Sequence, residues 1–382
     1  MRCKKSLFTL LAILITAPVL GAGLLGLPSV PVPQDNPQTP AKIALGNKLF
    51  HDKRFSSDGT VSCATCHEAA KAFTDSPLSV SEGIGNPKGT GKLTGTRNAP
   101  TVINAAYFSL LFWDGRSPSL EDQSQHPFVN PVEMGLKNHE PLLKIVRTDP
   151  DYAKAFKEVF GKTGEQITLQ DVLKEIASFE RTLVAGDSPF DRYYFGGDKS
   201  AMTPAQIRGF AVFLNEGRCV SCHTVEQNQA LFMDGRFHNI GVGINRIQQE
   251  VPSLAGAFLK AKAQGIDVDV AVLSDRKTSE LGRFAVTDTL DELGAFKTPT
   301  LRNIALTAPY MHDGSLKTLK EVVTHYNNGG VTKQGDKVND FLSGGIRPLQ
   351  LSEQQIDDLV AFMEALTSSQ YASLAKTQSA PQ

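Results

Sequence analysis

The sequence predicts an all-α fold in which two similar domains follow one another, each carrying long loops. Three observations support that prediction. The pentapeptide Cys-x-x-Cys-His occurs twice, at Cys63-Ala64-Thr65-Cys66-His67 and, 156 positions later, at Cys219-Val220-Ser221-Cys222-His223. A helix start of one design, threonine as N-cap and proline at the first helical position, precedes each copy at Thr39-Pro40 and Thr203-Pro204. A capped helix closes each half, opening at Thr168-x-x-Asp171 and at Ser352-Glu353-Gln354-Gln355.

Cys-x-x-Cys-His is the attachment signature of a c-type haem. The two thiols become thioethers to the porphyrin vinyl groups, and the adjacent imidazole binds the iron from the proximal side. A bare Cys-x-x-Cys would also suit a redox dithiol or half a zinc site. Two copies, each followed by histidine, use every cysteine but one and select haem. The cofactors expected are two covalently bound haem c groups, on Cys63, Cys66 and His67 and on Cys219, Cys222 and His223.

A chain of 382 residues is long for one domain, so one domain per haem is the natural division. The expected organisation is a signal peptide over 1–22 and a linker over 23–40. An N-terminal haem domain over 41–190, a C-terminal haem domain over 200–370 and a tail over 371–382 follow. Apolar content of 41% and charged content of 21% are those of a soluble globular protein. The formal net charge is −1, which argues against the basic surface a nucleic-acid binder needs.

Arg2, Lys4 and Lys5 make a positive n-region, Leu7 to Ala17 an apolar stretch, and Val19 to Gly23 supplies small residues for cleavage. This reads as a Sec-type signal peptide and export to a periplasm. Cys3 precedes the apolar stretch and would leave with the leader. The alternative is an uncleaved anchor, since the apolar run continues through Leu24-Leu25-Gly26-Leu27, although Pro18 and the glycines weaken such a helix. No later segment is apolar enough to cross a membrane.

Pro28 to Pro40 is proline-rich and polar and reads as extended chain. The first helix runs from Ala41 to Phe50, with Leu45 and Leu49 one turn apart. Ser56 to Gly59 leads into the first haem motif. From Ser76 to Thr96 a long loop of Gly, Ser, Pro and Thr is expected, and loops of that length are usually functional. A helix starts at Ser119, and His126 to Pro131 reads as a Pro-rich turn. The helix Leu169 to Val184 places Val172, Ile176 and Phe179 on one face, as a core helix closing the first domain. The domain boundary falls within Gly186 to Lys199, and a last helix runs to Leu366. Helices frame the porphyrin and loops bring in the distal ligand, as two tandem cytochrome c-type haem domains require.

The segments around the motifs resemble the bacterial di-haem cytochrome c peroxidase/MauG family over roughly Lys42 to Leu366. The matching blocks are Leu49-Phe50-x-Asp52-x-Arg54-Phe55, Arg97-Asn98-x-Pro100-Thr101 and Phe112-Trp113-Asp114-Gly115-Arg116. With them go Asn130-Pro131-x-Glu133-Met134, Thr298-Pro299-x-Leu301-Arg302-Asn303-Ile304 and Thr307-Ala308-Pro309-Tyr310-Met311-His312-Asp313-Gly314. The resemblance implies that His67 holds a peroxide-reacting iron and His223 an electron-transfer iron. It implies that Trp113 bridges the haems; a core tryptophan at a domain contact is the alternative. Glu133 matches a distal glutamate that shuttles the proton in O–O cleavage, and a surface carboxylate after a turn is its alternative. Gln123 matches a second polar distal position, and Pro127 sits in the same segment. A structural calcium ion is also implied, held by the Asn98 side chain and by the carbonyls of Thr307 and Pro309.

Two departures from the conventional peroxidases bear on subtype. Those enzymes block the resting N-terminal iron with a loop histidine, but here the loop reads Ile84 to Gly89 and no histidine lies between His67 and His126. The first iron is therefore expected to be open or water-bound. Conventional members ligate the second iron with methionine after a Leu-x-Glu-x-Val helix, whereas this chain has Tyr326 at that position, as in MauG. A phenolate favours higher oxidation states than a thioether does. His325, Met311 and Met233 compete for the role; His51, His126, His139, His238 and His312 read as capping, packing or surface residues.

The expected function is a periplasmic peroxidase that reduces hydrogen peroxide with electrons from a small cytochrome c or cupredoxin, passed between two haems. The alternative of the same class is a MauG-like oxidase that modifies an aromatic residue of a partner protein through a bis-ferryl state. A non-catalytic di-haem electron carrier is the alternative of another class. The family resemblance implies a dimer for conventional members.

Overall fold

In the computed structural model residues 24–88, 91–333 and 335–373 are described; the expected leader and the end of the tail lie outside them. Helices dominate, and the only strands among these residues form two short antiparallel pairs. The all-α expectation holds for the scaffold and is corrected in two loops. Glu82–Gly85 pairs with Lys92–Thr94 inside the expected long loop. Phe237–His238 pairs with Phe296–Lys297 in the second half. Neither has the alternating apolar pattern that announces a strand in a sequence.

The helix starts behave as their caps dictate. Pro40–Phe50 begins under Thr39, whose side chain accepts from the Lys42 N–H. Pro204–Leu214 begins under Thr203, which shares a capping box with Gln206. Leu169–Glu180 and Glu353–Glu364 open on the boxes Thr168/Asp171 and Ser352/Gln355. The first of these ends at Glu180, a turn earlier than Val184. The expected turn after His126 is instead helix, because Leu120–Val129 continues through Pro127. Proline there supplies no N–H for the carbonyl of Gln123, which loosens that turn without breaking it.

In each half the opening helix crosses the closing helix at a glycine. A Cβ on Gly46 would lie 1.8 Å from the Glu175 carbonyl oxygen, and one on Gly209 would lie 1.9 Å from that of Asp358. Only glycine permits that approach. The two crossings place Phe179 and Phe362 in equivalent positions, their Cβ atoms the side-chain atoms nearest the two glycines. Around the first crossing lies a core with Leu49, Phe50, Phe55, Tyr152, Val172 and Ile176. The second is built on Phe190, Phe210, Phe213, Phe232 and Phe362. A third core, which the sequence reading did not foresee, packs Ile244, Phe258, Val272, Leu281 and Phe284, all from the chain segment that separates the two strands of the second half in sequence.

A second internal correspondence runs at a spacing of 199, as from Thr101 to Thr300. Asn104 and Asn303 both adopt left-handed backbone (φ 64° and 60°), as do Phe112 and Met311 (φ 63° and 74°). Bridges Leu111–Ser117 and Tyr310–Leu316 close matching loops. The helices that follow, Leu120–Val129 and Leu319–Asn327, open on Ser119 and Thr318. Bulky side chains seldom occupy φ > 0, so the shared strain at Phe112 and Met311 marks one loop design used twice.

Residues 24–39 contain no helix or strand, yet they are tied to both halves. The Gly26 carbonyl accepts from Arg302 at 2.7 Å, and the Asn36 amide donates to Glu121 at 2.8 Å. Arg302, fully buried, also forks onto Asp191 at 2.8 and 2.9 Å. Across the halves Arg116 bonds both Asp114 and Asp269, and Arg97 bonds Asp114 and the Ser279 carbonyl.

Candidate functional site

Each Cys-x-x-Cys-His motif ends in an imidazole whose Nδ1 faces a backbone carbonyl. His67 Nδ1 lies 3.1 Å from the Phe73 oxygen, and His223 Nδ1 lies 2.8 Å from the Phe232 oxygen. A carbonyl can only accept, so Nδ1 carries the proton and the Nε2 lone pair is left for a metal. Phe73 and Phe232 reach this position through left-handed backbone (φ 57° and 54°). The preceding carbonyl is pinned in both cases by a threonine of the Pro-Thr loop. Thr101 donates to Ala72 at 2.6 Å and Thr300 to Leu231 at 2.7 Å. Burial lowers the pKa of both histidines and keeps them neutral, the form that ligates.

The two motifs open onto one continuous cavity of about 530 Å³, lined by Cys66, His67, Cys219, Cys222 and His223. Its wall also includes Trp113, Gln123, Pro127, Glu133, Tyr326, Asn98, Thr307 and Pro309. Every predicted site residue therefore reaches it except Cys63, which packs against the first core.

Trp113 stands where the halves meet. Its indole N–H donates to the Asn98 carbonyl at 2.9 Å, and its own carbonyl accepts from the Lys297 N–H at 2.8 Å. Lys297 is the counterpart of Asn98 at the 199 spacing, and the Asn98 N–H donates to the carbonyl of His312, the counterpart of Trp113, at 2.7 Å. The exchange is reciprocal, so Trp113 is held by its own half through the indole and by the second half through its backbone.

Glu133 is set by the hairpin that the sequence reading took for loop. The Ile84 N–H donates to its carbonyl at 2.9 Å, and Gly83 sits so close that a Cβ there would lie 2.0 Å from the Val132 oxygen. Its Oε2 is buried without a hydrogen-bond partner. Burial pushes the carboxyl up to about 8; Asp269 adds to the push and Arg116 opposes it. Such a group can take up and return a proton near neutral pH.

On the second side, Tyr326 lines the cavity from the helix Leu319–Asn327. It occupies the position of Pro127 in the first half. His325, its competitor, is turned away, with Nε2 2.8 Å from the Ile240 oxygen. Met311 reaches the cavity wall, and Met233 lines a smaller side cleft of about 230 Å³. Cys222, Asp234 and His238 lie close enough to share a metal, but haem attachment would consume the Cys222 sulfur.

Sequence reasoning missed Lys297 and Glu180, both in the cavity wall. The Lys297 ammonium rests over the Phe108 ring, 3.6 Å from its centroid, with no hydrogen bond or ion pair among the described residues. Burial lowers it to about 7. The 199 spacing was the signal that could have found it. A half-buried lysine with no ion pair among the described residues, two histidines whose Nδ1 atoms face carbonyls and a cavity joining both motifs fit two haems with their propionates.

The comparisons with known proteins agree with this chemistry. The family described as di-haem cytochrome c peroxidase matches residues 40–200. The cytochrome-c peroxidase IdrP1 of Denitromonas iodatirespirans is 38% identical over 344 residues, 89% of this chain and 85% of its own length. The methylamine utilization protein MauG of Methylorubrum extorquens is 37% identical over 338 residues, 88% of this chain and 81% of its own. A crystal structure of a MauG-like protein associated with microbial copper homeostasis superposes with a TM-score of 0.70 at 32% identity, covering 93% of this chain and 97% of that one. Paired haem-attachment motifs on one cavity, and relatives matching along most of the chain, place this protein in the di-haem cytochrome c peroxidase family of oxidoreductases.

Proposed function

We propose that this chain is a peroxide-using di-haem oxidoreductase with an open first iron and a second iron held by His223 and Tyr326. The observation that carries the reading is Glu133: a half-buried side chain whose Oε2 is buried without a partner, set in the wall of the cavity onto which His67 also opens. Haem bound through Cys63 and Cys66 would supply the redox-active iron, with His67 on its proximal side. Glu133 takes the proton from the near oxygen of peroxide and returns it to the departing oxygen. Gln123 offers its amide to the same space, and Pro127 brings no donor or acceptor side chain that could close the iron. Trp113, braced by Asn98 and Lys297, lies on the route between the two motifs.

The electron source is a small cytochrome c or cupredoxin in this reading. Tyr326 favours the MauG-like variant, in which both irons would share the oxidising equivalents left by peroxide and electrons would be drawn from an aromatic side chain of a partner protein. A phenolate oxygen stabilises the oxidised states that such sharing needs. Asn98, Thr307 and Pro309 would hold a calcium ion beside the bridge. Residues 41–190 and 200–370 are the two haem domains in this reading. The protein would act in the periplasm after removal of residues 1–22; among the described residues no helix is long and apolar enough to cross a membrane.

Stopped-flow mixing of the di-haem protein with peroxide tests the assignment. Glu133→Gln should slow the haem spectral change by ~10²–10⁴-fold while leaving the resting spectrum intact. In the parent the rate should rise as pH passes through about 8, because only the ionised carboxyl accepts a proton; the glutamine variant should lack that rise. An unaltered rate in the variant would remove Glu133 from the chemistry.

A further inference from the structure

The first haem pocket contains a second carboxyl that the proposed peroxide chemistry does not use. Glu180 ends the closing helix of the first half, is 5% exposed and lines the cavity. Its Oε2 is buried with no hydrogen-bond partner. The glycine crossings give its counterpart. Gly46 meets Glu175 and Phe179, Gly209 meets Asp358 and Phe362, and the next residue is Glu180 in one half and Met363 in the other. Met363 lines the same cavity and belongs to the second apolar core. One helix position thus presents a thioether to the second haem pocket and an unpaired acid to the first.

An unpaired carboxyl in an apolar wall is stable only when protonated, and it ionises when positive charge arrives beside it. The charged groups around it are committed elsewhere. Arg181 bonds Glu121 at 2.7 and 2.9 Å, and Lys42 is held by Asn36 and by Glu175 at 3.6 Å. Cys63, whose thiol is pushed up first by burial and then by Glu180, becomes a thioether in the loaded protein. Burial raises the Glu180 carboxyl to about 8, Arg181 opposing and Glu121 adding to the rise.

We propose that Glu180 is the proton-holding residue of the first haem pocket, neutral while that iron is ferrous and ionised once it is ferric. The balance is simple: one electron leaves the iron for a one-electron acceptor (a redox mediator in the titration below), one proton leaves Glu180 for solvent, and no covalent bond other than the carboxyl O–H breaks. The net charge of the pocket then stays constant through the step, which the second pocket, with Met363, does not provide. The inference rests on the reading that a haem occupies the first pocket, and it does not require that peroxide be the oxidant.

Spectroelectrochemical titration of the di-haem protein at a series of pH values tests it. In the parent the first-haem potential should fall with rising pH across the region around 8. In Glu180→Gln most of that fall should be lost, only the part carried by Glu133 remaining, with the second-haem profile unmoved. Glu180→Met, which copies the second half, should behave alike and serves if the amide variant loads haem poorly. Glu133→Gln should keep most of the fall. A dependence of parental size that survives both Glu180 variants, that Glu133→Gln alone abolishes, or that Glu180→Gln alters equally in both haems would overturn the proposal. Loss of peroxide reactivity with these profiles intact would instead count against the peroxidase reading alone.

Discussion

The two halves of this protein use one mounting and two chemistries. In both, an opening helix crosses a closing helix at a glycine, a histidine Nδ1 is aimed at a left-handed phenylalanine carbonyl, and a threonine pins the residue before it. The halves part company at the positions that face the cavity. Pro127 stands against Tyr326, Glu180 against Met363, Trp113 against His312 and Asn98 against Lys297. Residues that build the mount answer to packing and backbone geometry, which tolerate few alternatives. Residues that line the cavity are freer of those packing demands, and there the halves differ.

The bridge gives the sharpest test of that division of roles. Trp113→Phe should keep both haems loaded, since phenylalanine fills most of the space, but should abolish the response of the second haem to peroxide. A second-haem change of parental size and rate in this variant would remove the bridging role. Next in effect is Tyr326→Met, which gives the second iron the thioether of the conventional enzymes. Its potential should rise by a sizeable part of the roughly 0.8 V range that axial ligands control, measured by redox titration, with the first haem little changed. No shift would mean that the phenol does not touch the iron.

Stability provides two smaller tests. Arg302 has no counterpart in the first half, where Ile103 occupies its place. Asp191→Asn leaves this fully buried guanidinium without its carboxylate and should cost about 3–5 kcal/mol in denaturant unfolding. Equal unfolding midpoints for variant and parent would show that the pair is dispensable. The smallest effect is the most symmetric. Ser119→Ala and Thr318→Ala each remove an N-cap bond of 3.1 Å and should each cost about 1 kcal/mol. Clearly unequal costs would mean that the two distal helices are not held alike.

Much of this was legible in the residues themselves. Haem attachment needs only a pentapeptide, and helix starts need only a cap and the residues after it, so both were local signals. The hairpin behind Glu133 was not legible, because Glu82–Gly85 lacks an apolar rhythm and is set by its partner strand and by the Glu133 carbonyl. The helix through Pro127 was hidden by the proline itself. Nothing in the local sequence singles out Glu180, at the end of an amphipathic helix, or Lys297, because their burial comes from distant segments.

The sequence by itself determined the two Cys-x-x-Cys-His pentapeptides, the capped helices and the family blocks, since each depends on residues close together in the chain. Tertiary structure alone decided which side chains share the cavity. Burial and missing partners arise from segments far apart in sequence, and they are what turn Glu133, Glu180 and Lys297 from surface-type residues into groups that titrate near neutral pH.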